Sequence, residues 1–273
     1  MSANGMSILL FLRNNGMKIK RLWSILLTGA LLTLSCQEKQ PASELPPPSK
    51  PEPGAHKGPT AVFIGDSITW QWGLVTRQLK ESQKVIIPTD PAPAWMSISG
   101  SNVVITWHAS FFTNNDYVDK GVSGQNTSEM VARYQTDVLA QDPWCVVIMG
   151  GTNDLAQGVS QSQIMTNIKS MAEQAAAKDM KVVLCSVTPC NMSYSKLSPK
   201  EKGTHIVALN KKIKEYADEK GFAYCDYHKD LVAADGLSLK AEYCLYDALH
   251  PNPDAYTVME GIIRPIIRKL LAK

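Results

Sequence analysis

From residue 61 onward the chain repeats one alternation: a short run rich in Val and Ile, then a longer segment that opens on a helix-start signal. The apolar runs lie at 61–65, 103–107, 144–149, 181–187 and 222–226. They are apolar at consecutive positions rather than at every second one, as strands read when both faces are buried. Asn126 with Glu129, Ser160 with Gln163 and Ser198 with Glu201 have capping-box spacing. Pro199 and Pro253 follow Ser198 and Asn252 at first-turn positions. A closing helix is predicted over 252–271, kinked at Pro265. Buried strands alternating with helices imply an α/β fold, a three-layer α/β/α sandwich around a mostly parallel five-stranded sheet. The chain has 273 residues, 44% of them hydrophobic, enough for one sizeable core.

The stretch before residue 61 has a different character. Met17-Lys18-Ile19-Lys20-Arg21 is a basic start, the run from Leu22 to Leu34 is apolar, and Ser35-Cys36 follows. This is the pattern of a secretory signal, with Met17 the better start. The apolar run is short of the about 20 residues that span a bilayer. A small residue before Cys36 resembles the lipobox of bacterial lipoproteins, whose cysteine is lipidated, although Thr33 occupies the third place before it. The segment 37–59 carries seven prolines and almost no apolar bulk, so it reads as a semi-extended tether. The expected organisation is therefore a signal over 1–36, a Pro-rich tether over 37–59 and a domain over 60–273. The protein is expected to be exported and held at the cell envelope through a lipid on Cys36, in contact with the membrane through that anchor only.

The formal charge of +3 does not survive removal of the leader, which holds Arg13, Lys18, Lys20 and Arg21 and no acids. The 28 basic residues fall to 24, against 25 acidic ones, so nothing argues for a nucleic-acid partner. Apart from Cys36 there are Cys145, Cys185, Cys190, Cys225 and Cys244, with no CxxC pair to suggest a zinc knuckle. Any two of Cys190, Cys225 and Cys244 could pair in an oxidising compartment.

Four polar stretches fall where a strand or loop meets a helix start: Gly65-Asp66-Ser67, the run 120–127 (KGVSGQNT), the run 149–154 (MGGTND) and the run 246–252 (YDALHPN). In parallel sheets, sites form at the carboxyl ends of the strands. Acyl transfer needs a nucleophile, a base, a group to orient the base, and donors for the oxyanion. Ser67 supplies a hydroxyl and an N–H. Asp247 and His250, three residues apart, share one side of a helical turn or tight loop. Gly124 lets its N–H approach a ligand closely, and Asn153 brings an NH₂ donor that cannot ionise. Ser67 alone would read as a helix cap, and Asn153 alone as a turn residue. Asp66 and Asp154 read as structural ties.

Taken together the four stretches resemble blocks I, II, III and V of the SGNH hydrolases, also called GDSL esterases/lipases. Gly65-Asp66-Ser67 matches the GDS, Gly124 the block II glycine, Gly151-Thr152-Asn153-Asp154 the GxND, and Asp247-Ala248-Leu249-His250 the DxxH. The resemblance spans residues 60–270. It implies a flavodoxin-like fold, Ser67 as nucleophile, His250 as base, Asp247 as orienter, and an oxyanion hole of the Ser67 and Gly124 amides with the Asn153 side chain. Many relatives carry Asn where this chain has Asp119.

No metal or other cofactor is expected: the mature chain has five scattered histidines and no HxH or HxxxH. Trp70 and Trp72 follow the nucleophile, and Trp95 lies in the run 90–100; these indoles are candidate substrate contacts that could stack on sugar rings, the alternative and commoner fate being to pack an insertion against the domain. The reading is a serine esterase releasing a short acyl group, acetyl first of all, from a small-molecule or glycan ester. Its rivals are a lysophospholipase or thioesterase-type acylhydrolase, and a glycan-binding surface lipoprotein that has kept the scaffold without the activity.

Overall fold

The computed structural model describes residues 56–272, except 85, 86, 88, 89 and 192–196. In chain order the strands are β1 (Ala61–Gly65), β2 (Thr76–Gln78), β3 (Met96–Ser99), β4 (Asn102–Thr106), β5 (Tyr117–Gly121), β6 (Cys145–Ile148), β7 (Lys181–Cys185) and β8 (Ala223–Cys225). The helices are α1 (Ser67–Trp72), α2 (Glu81–Lys84), α3 (Ser110–Thr113), α4 (Thr127–Asp137), α5 (Thr152–Gln157), α6 (Gln161–Ala176), α7 (Pro199–Lys220), α8 (Tyr227–Leu231) and α9 (Pro253–Leu271).

The main sheet has the order β5-β1-β6-β7-β8, and every pair in it is parallel. Side chains of β1 alternate between two apolar layers. Ala61 and Phe63 face Trp72, Phe111, Tyr256 and Ile263, whereas Val62 and Ile64 face Met130, Ile168 and Leu209. One layer is closed by α1, α3, α8 and α9, the other by α4, α6 and α7, which gives the three-layer sandwich expected. Phe63 centres an aromatic cluster, with Trp72, Phe111, Phe112 and Tyr117 ring centroids 5.3–5.9 Å away.

The fifth strand of this sheet is not the one the sequence offered. The run 103–107 forms β4, which pairs antiparallel with β2 and β3 in a separate small sheet. Its burial alternates, with Val103 and Ile105 turned inward. The fifth parallel strand is β5, YVDKG, whose polar residues hid it. Having a neighbour on one side only, it tolerates Asp119 and Lys120 where a central strand would not.

Helix starts follow the sequence signals. Asn126 and Ser198 make full reciprocal capping boxes with Glu129 and Glu201. Ser160 accepts from the Gln163 N–H, and Asn252 accepts from the Ala255 N–H. α9 continues through Pro265 to Leu271. The last residues of the expected tether lie against the domain: Asp142 accepts from the Lys57 N–H and pairs with His56, and Pro59 accepts from the Trp144 N–H. The signal, and Cys36 within it, lies outside the described residues. Among the described residues no helix is long and apolar enough to cross a membrane, and Cys145, Cys185, Cys225 and Cys244 are free thiols.

Candidate active site

β1 sits between β5 and β6, so the chain leaves it in one direction and returns on the other side. The segments following β1, β5 and β6 therefore open onto one crevice at the carboxyl edge of the sheet, where ligands bind in folds of this kind. Those three segments carry Ser67, Gly124 and Asn153.

Ser67 is the first residue of α1, where the backbone N–H has no partner within the helix. Asp66 caps the helix, its Oδ1 accepting from the Ile68 N–H at 2.9 Å. Burial pushes the Asp66 carboxyl up to about 6, against the pull of that N–H and of nearby His250. The turn into α1 is tight: a Cβ on Gly65 would lie 1.9 Å from Thr69 Oγ1, so only glycine fits. Tyr256, buried in α9, donates its hydroxyl to the Ile68 carbonyl at 2.8 Å and holds the helix from below. Sequence reasoning passed over Tyr256, because a tyrosine on an amphipathic helix reads as plain core.

Ser67 Oγ lies 2.8 Å from His250 Nε2. On the far side of the ring, Nδ1 meets Asp247 Oδ2 at 2.5 Å. The loop holding this pair is tight rather than helical. Asp247 Oδ1 accepts from the N–H groups of Leu249 (3.1 Å) and His250 (2.9 Å), and Ala248 takes a left-handed φ of 54°. An alanine there is strained by about 1–2 kcal/mol, and the surrounding bonds over-determine it: the Asn191 N–H donates to the Ala248 carbonyl (2.7 Å) and the Leu245 N–H to the His250 carbonyl (2.9 Å). Burial raises the Asp247 carboxyl, but the hydrogen bonds and charge of His250 outweigh it and leave Asp247 below its ordinary value. Asp247 is thus a carboxylate aimed at the imidazole. A row of this kind can draw a proton from a hydroxyl and hold the resulting imidazolium.

Gly124 is exposed, with φ 82° and nothing within 4 Å of a would-be Cβ. The position needs glycine for its left-handed backbone. Asn153 donates through Nδ2 to the Gln125 carbonyl at 2.9 Å, and an NH₂ group has a second hydrogen to give. Asp154 accepts from both the N–H and hydroxyl of buried Thr127, tying α5 to the start of α4. It is a structural tie, and burial raises its carboxyl.

The tryptophans separate. Trp70 is 39% exposed, one turn beyond Ser67 on the same side of α1. Trp72, expected at the substrate surface, is a core residue and that expectation is corrected. It is 1% exposed, stacked on Phe111 (4.9 Å) and Tyr256 (5.5 Å), with its N–H on Glu260 at 3.2 Å. Trp95 is half-buried and donates to Asp254 Oδ2 at 2.8 Å, bracing the small sheet against the start of α9. Among the described residues no three His, Cys, Asp or Glu side chains gather so as to hold a metal ion.

Among curated proteins, the chain is 35% identical over 82 residues to the uncharacterized lipoprotein YqeF of Bacillus subtilis, covering 28% of this chain and 34% of that protein. It is 27% identical over 130 residues to the esterase TesA of Pseudomonas aeruginosa, covering 47% of this chain and 54% of that one. These matches thus span about a third and about half of the relatives' own length. Among solved structures it resembles a GDSL-like lipase from Bacteroides thetaiotaomicron, with a TM-score of 0.61 and 29% identity over 77% of this chain and 87% of that one. Residues 63–258, a range that takes in Ser67, Gly124, Asn153, Asp247 and His250, match one family, and the chain belongs to the GDSL-like lipase/acylhydrolase family.

Proposed function

We propose that the protein is a serine esterase that removes a short acyl group, acetyl first of all, from a carbohydrate ester. The observation that carries this reading is the continuous row from Ser67 Oγ through His250 to Asp247. In the first step His250 Nε2 takes the hydroxyl proton as Ser67 Oγ attacks the ester carbonyl. The negative charge that develops on the carbonyl oxygen is met by the Ser67 and Gly124 N–H groups and the free hydrogen of Asn153 Nδ2. As the tetrahedral adduct collapses, the imidazolium returns its proton to the departing alcohol, leaving the acyl group on Ser67. Water then attacks, giving up its proton to His250, and the acid leaves with Ser67 re-protonated. No cofactor enters either step.

Trp70 offers an exposed indole one turn from the nucleophile, suited to the apolar face of a sugar ring. The secretory leader, the Cys36 context and the partial likeness to a lipoprotein support an exported protein anchored at the cell envelope, where polysaccharide would be met. The likeness to TesA supports the esterase chemistry itself. The test compares acetate release from acetylated polysaccharide with hydrolysis of p-nitrophenyl esters of rising chain length. Acetyl preference and acetate release are expected; faster turnover of long chains would replace this substrate with a lipid ester.

A further inference from the structure

We propose that Arg133 is a positioning residue for the oxyanion hole, its guanidinium fixing the spacing between the turn that carries Ser67 and the loop that carries Gly124. This rests on the esterase reading above and adds to it a part that no motif contains.

Arg133 lies in the second turn of α4, and its three arms reach different segments. Nη2 donates to the Gly65 carbonyl at 2.9 Å, Nε to Gln125 Oε1 at 2.6 Å, and Nη1 to Asp137 Oδ2 at 2.7 Å. Gly65 ends β1 two residues before Ser67. Gln125 directly follows Gly124, and its own carbonyl accepts from Asn153 at 2.9 Å. One side chain therefore bonds directly to the segments that carry Ser67 and Gly124, and the third donor, Asn153, is tied to the second of them through the Gln125 carbonyl. The backbone joins β1 to this loop through a bond from the Val122 N–H to the same Gly65 carbonyl, at 3.1 Å. Beyond Val122 the loop's internal bond is long, Gln125 N–H to Val122 carbonyl at 3.4 Å, and Gln125 is held from outside the loop, by Asn153 at its carbonyl and by the guanidinium at its side chain.

The site is built for arginine. Its side chain is 15% exposed, so acceptors that lost it would be poorly rehydrated. A planar fork holds several acceptors in fixed directions, whereas an ammonium acts as a point charge. Asp137, one turn on, orients the fork, and Lys120 approaches that carboxylate at 3.9 Å. The described contacts of Arg133 do not include Ser67, His250 or Asp247, so its effect passes through the backbone.

The test uses wild type, Arg133→Met, Arg133→Lys, Gln125→Ala and Ser67→Ala, assayed on p-nitrophenyl acetate with active sites counted by a fluorophosphonate. Arg133→Met is expected to lose about 10²-fold in kcat per counted site, the scale of a small misplacement of catalytic groups. Its KM should stay within about twofold, because oxyanion contacts act in the transition state. The Ki of a boronic acid, which mimics the tetrahedral adduct, should rise by the same factor as kcat/KM falls. The acid limb of the pH–rate profile should stay where it is, since the base is untouched. Arg133→Lys should recover part of the loss, and Gln125→Ala, which removes one acceptor only, should show a smaller fall in kcat at constant KM. Unchanged kcat per site in Arg133→Met, or in Gln125→Ala if the former does not fold, would overturn the role of Arg133 alone. An inactive wild type, or a Ser67→Ala enzyme as active as wild type, would overturn the esterase reading and this inference with it.

Discussion

Ser67 and His250, 183 positions apart in the chain, meet at 2.8 Å between Oγ and Nε2. Two elements bring them together. α1 starts directly after β1, and the loop 244–252 is closed on itself by an isolated bridge between Cys244 and Pro251. α9, continuing from that loop, reaches back to α1 through the Tyr256 hydroxyl. Nucleophile and base are thus fixed by one helix pair as well as by their own hydrogen bond.

Replacing the carboxylate tests the orienting half of the row. Asp247→Asn keeps the shape but cannot fix the tautomer or balance an imidazolium, and should lower kcat by about 10²–10⁴-fold. Because Asp247 is held below its ordinary value, it stays ionised through the whole range in which an imidazole titrates. A base that must be neutral to act makes activity fall on acidification, and Asp247, already ionised, adds no second limb to that fall. Rates of p-nitrophenyl acetate hydrolysis between pH 5 and 8 check this, and a flat profile would count against His250 as base.

Removing the side-chain donor is expected to cost rate and spare the fold. Asn153→Ala should lower kcat by about 10²–10³-fold. A thermal melt close to wild type, together with unchanged KM, would separate this from damage to the loop that Asn153 also braces.

The two tryptophans of α1 should behave in opposite ways. Trp72→Ala empties a stacked core position and should destabilise the protein by about 3–5 kcal/mol, read by denaturant unfolding. Trp70→Ala, on the surface, should change stability by no more than about 0.5 kcal/mol while raising KM for glycan esters. An unchanged KM would remove Trp70 from the substrate surface.

Asp119 offers a test through stability rather than rate. Burial pushes its carboxyl up to about 7 from an ordinary 3.8, against hydrogen bonds from the Gly121 and Gly73 N–H groups. The folded state therefore binds this proton more tightly than the unfolded one. Its protonation favours the fold, and the contribution is lost as pH rises from about 4 through about 7. Asp119→Asn cannot titrate, so the melting temperature of wild type relative to the variant should decline across that window. A constant difference from pH 4 to 8 would contradict the burial of a titrating group there.

How far the sequence reached follows from what each feature depends on. The stretches around Ser67, Gly124, Asn153, Asp247 and His250 stood out because each lies beside a turn or cap signal and together they resemble one family, and the structure brings Ser67, His250 and Asp247 into one row. β5 was not, because an edge strand needs no continuous apolar run, and its YVDKG imitates a loop. The run 103–107 misled for the converse reason: two inward residues of a small antiparallel sheet supply the same letters as a buried parallel strand. Trp72 escaped because, on a six-residue helix pressed against the core, adjacency to the nucleophile does not say which side faces the crevice. The left-handed Ala248 and the reach of Arg133 depend on contacts between distant segments, which no local pattern records.

The most direct measurement is to label the intact protein with a fluorophosphonate and map the modified peptide by mass spectrometry. The account expects one phosphonyl adduct, on Ser67, formed quickly in wild type, slowly in His250→Ala and not at all in Ser67→Ala, with esterase activity lost in step. An adduct on another residue, or full esterase activity in Ser67→Ala, would contradict it.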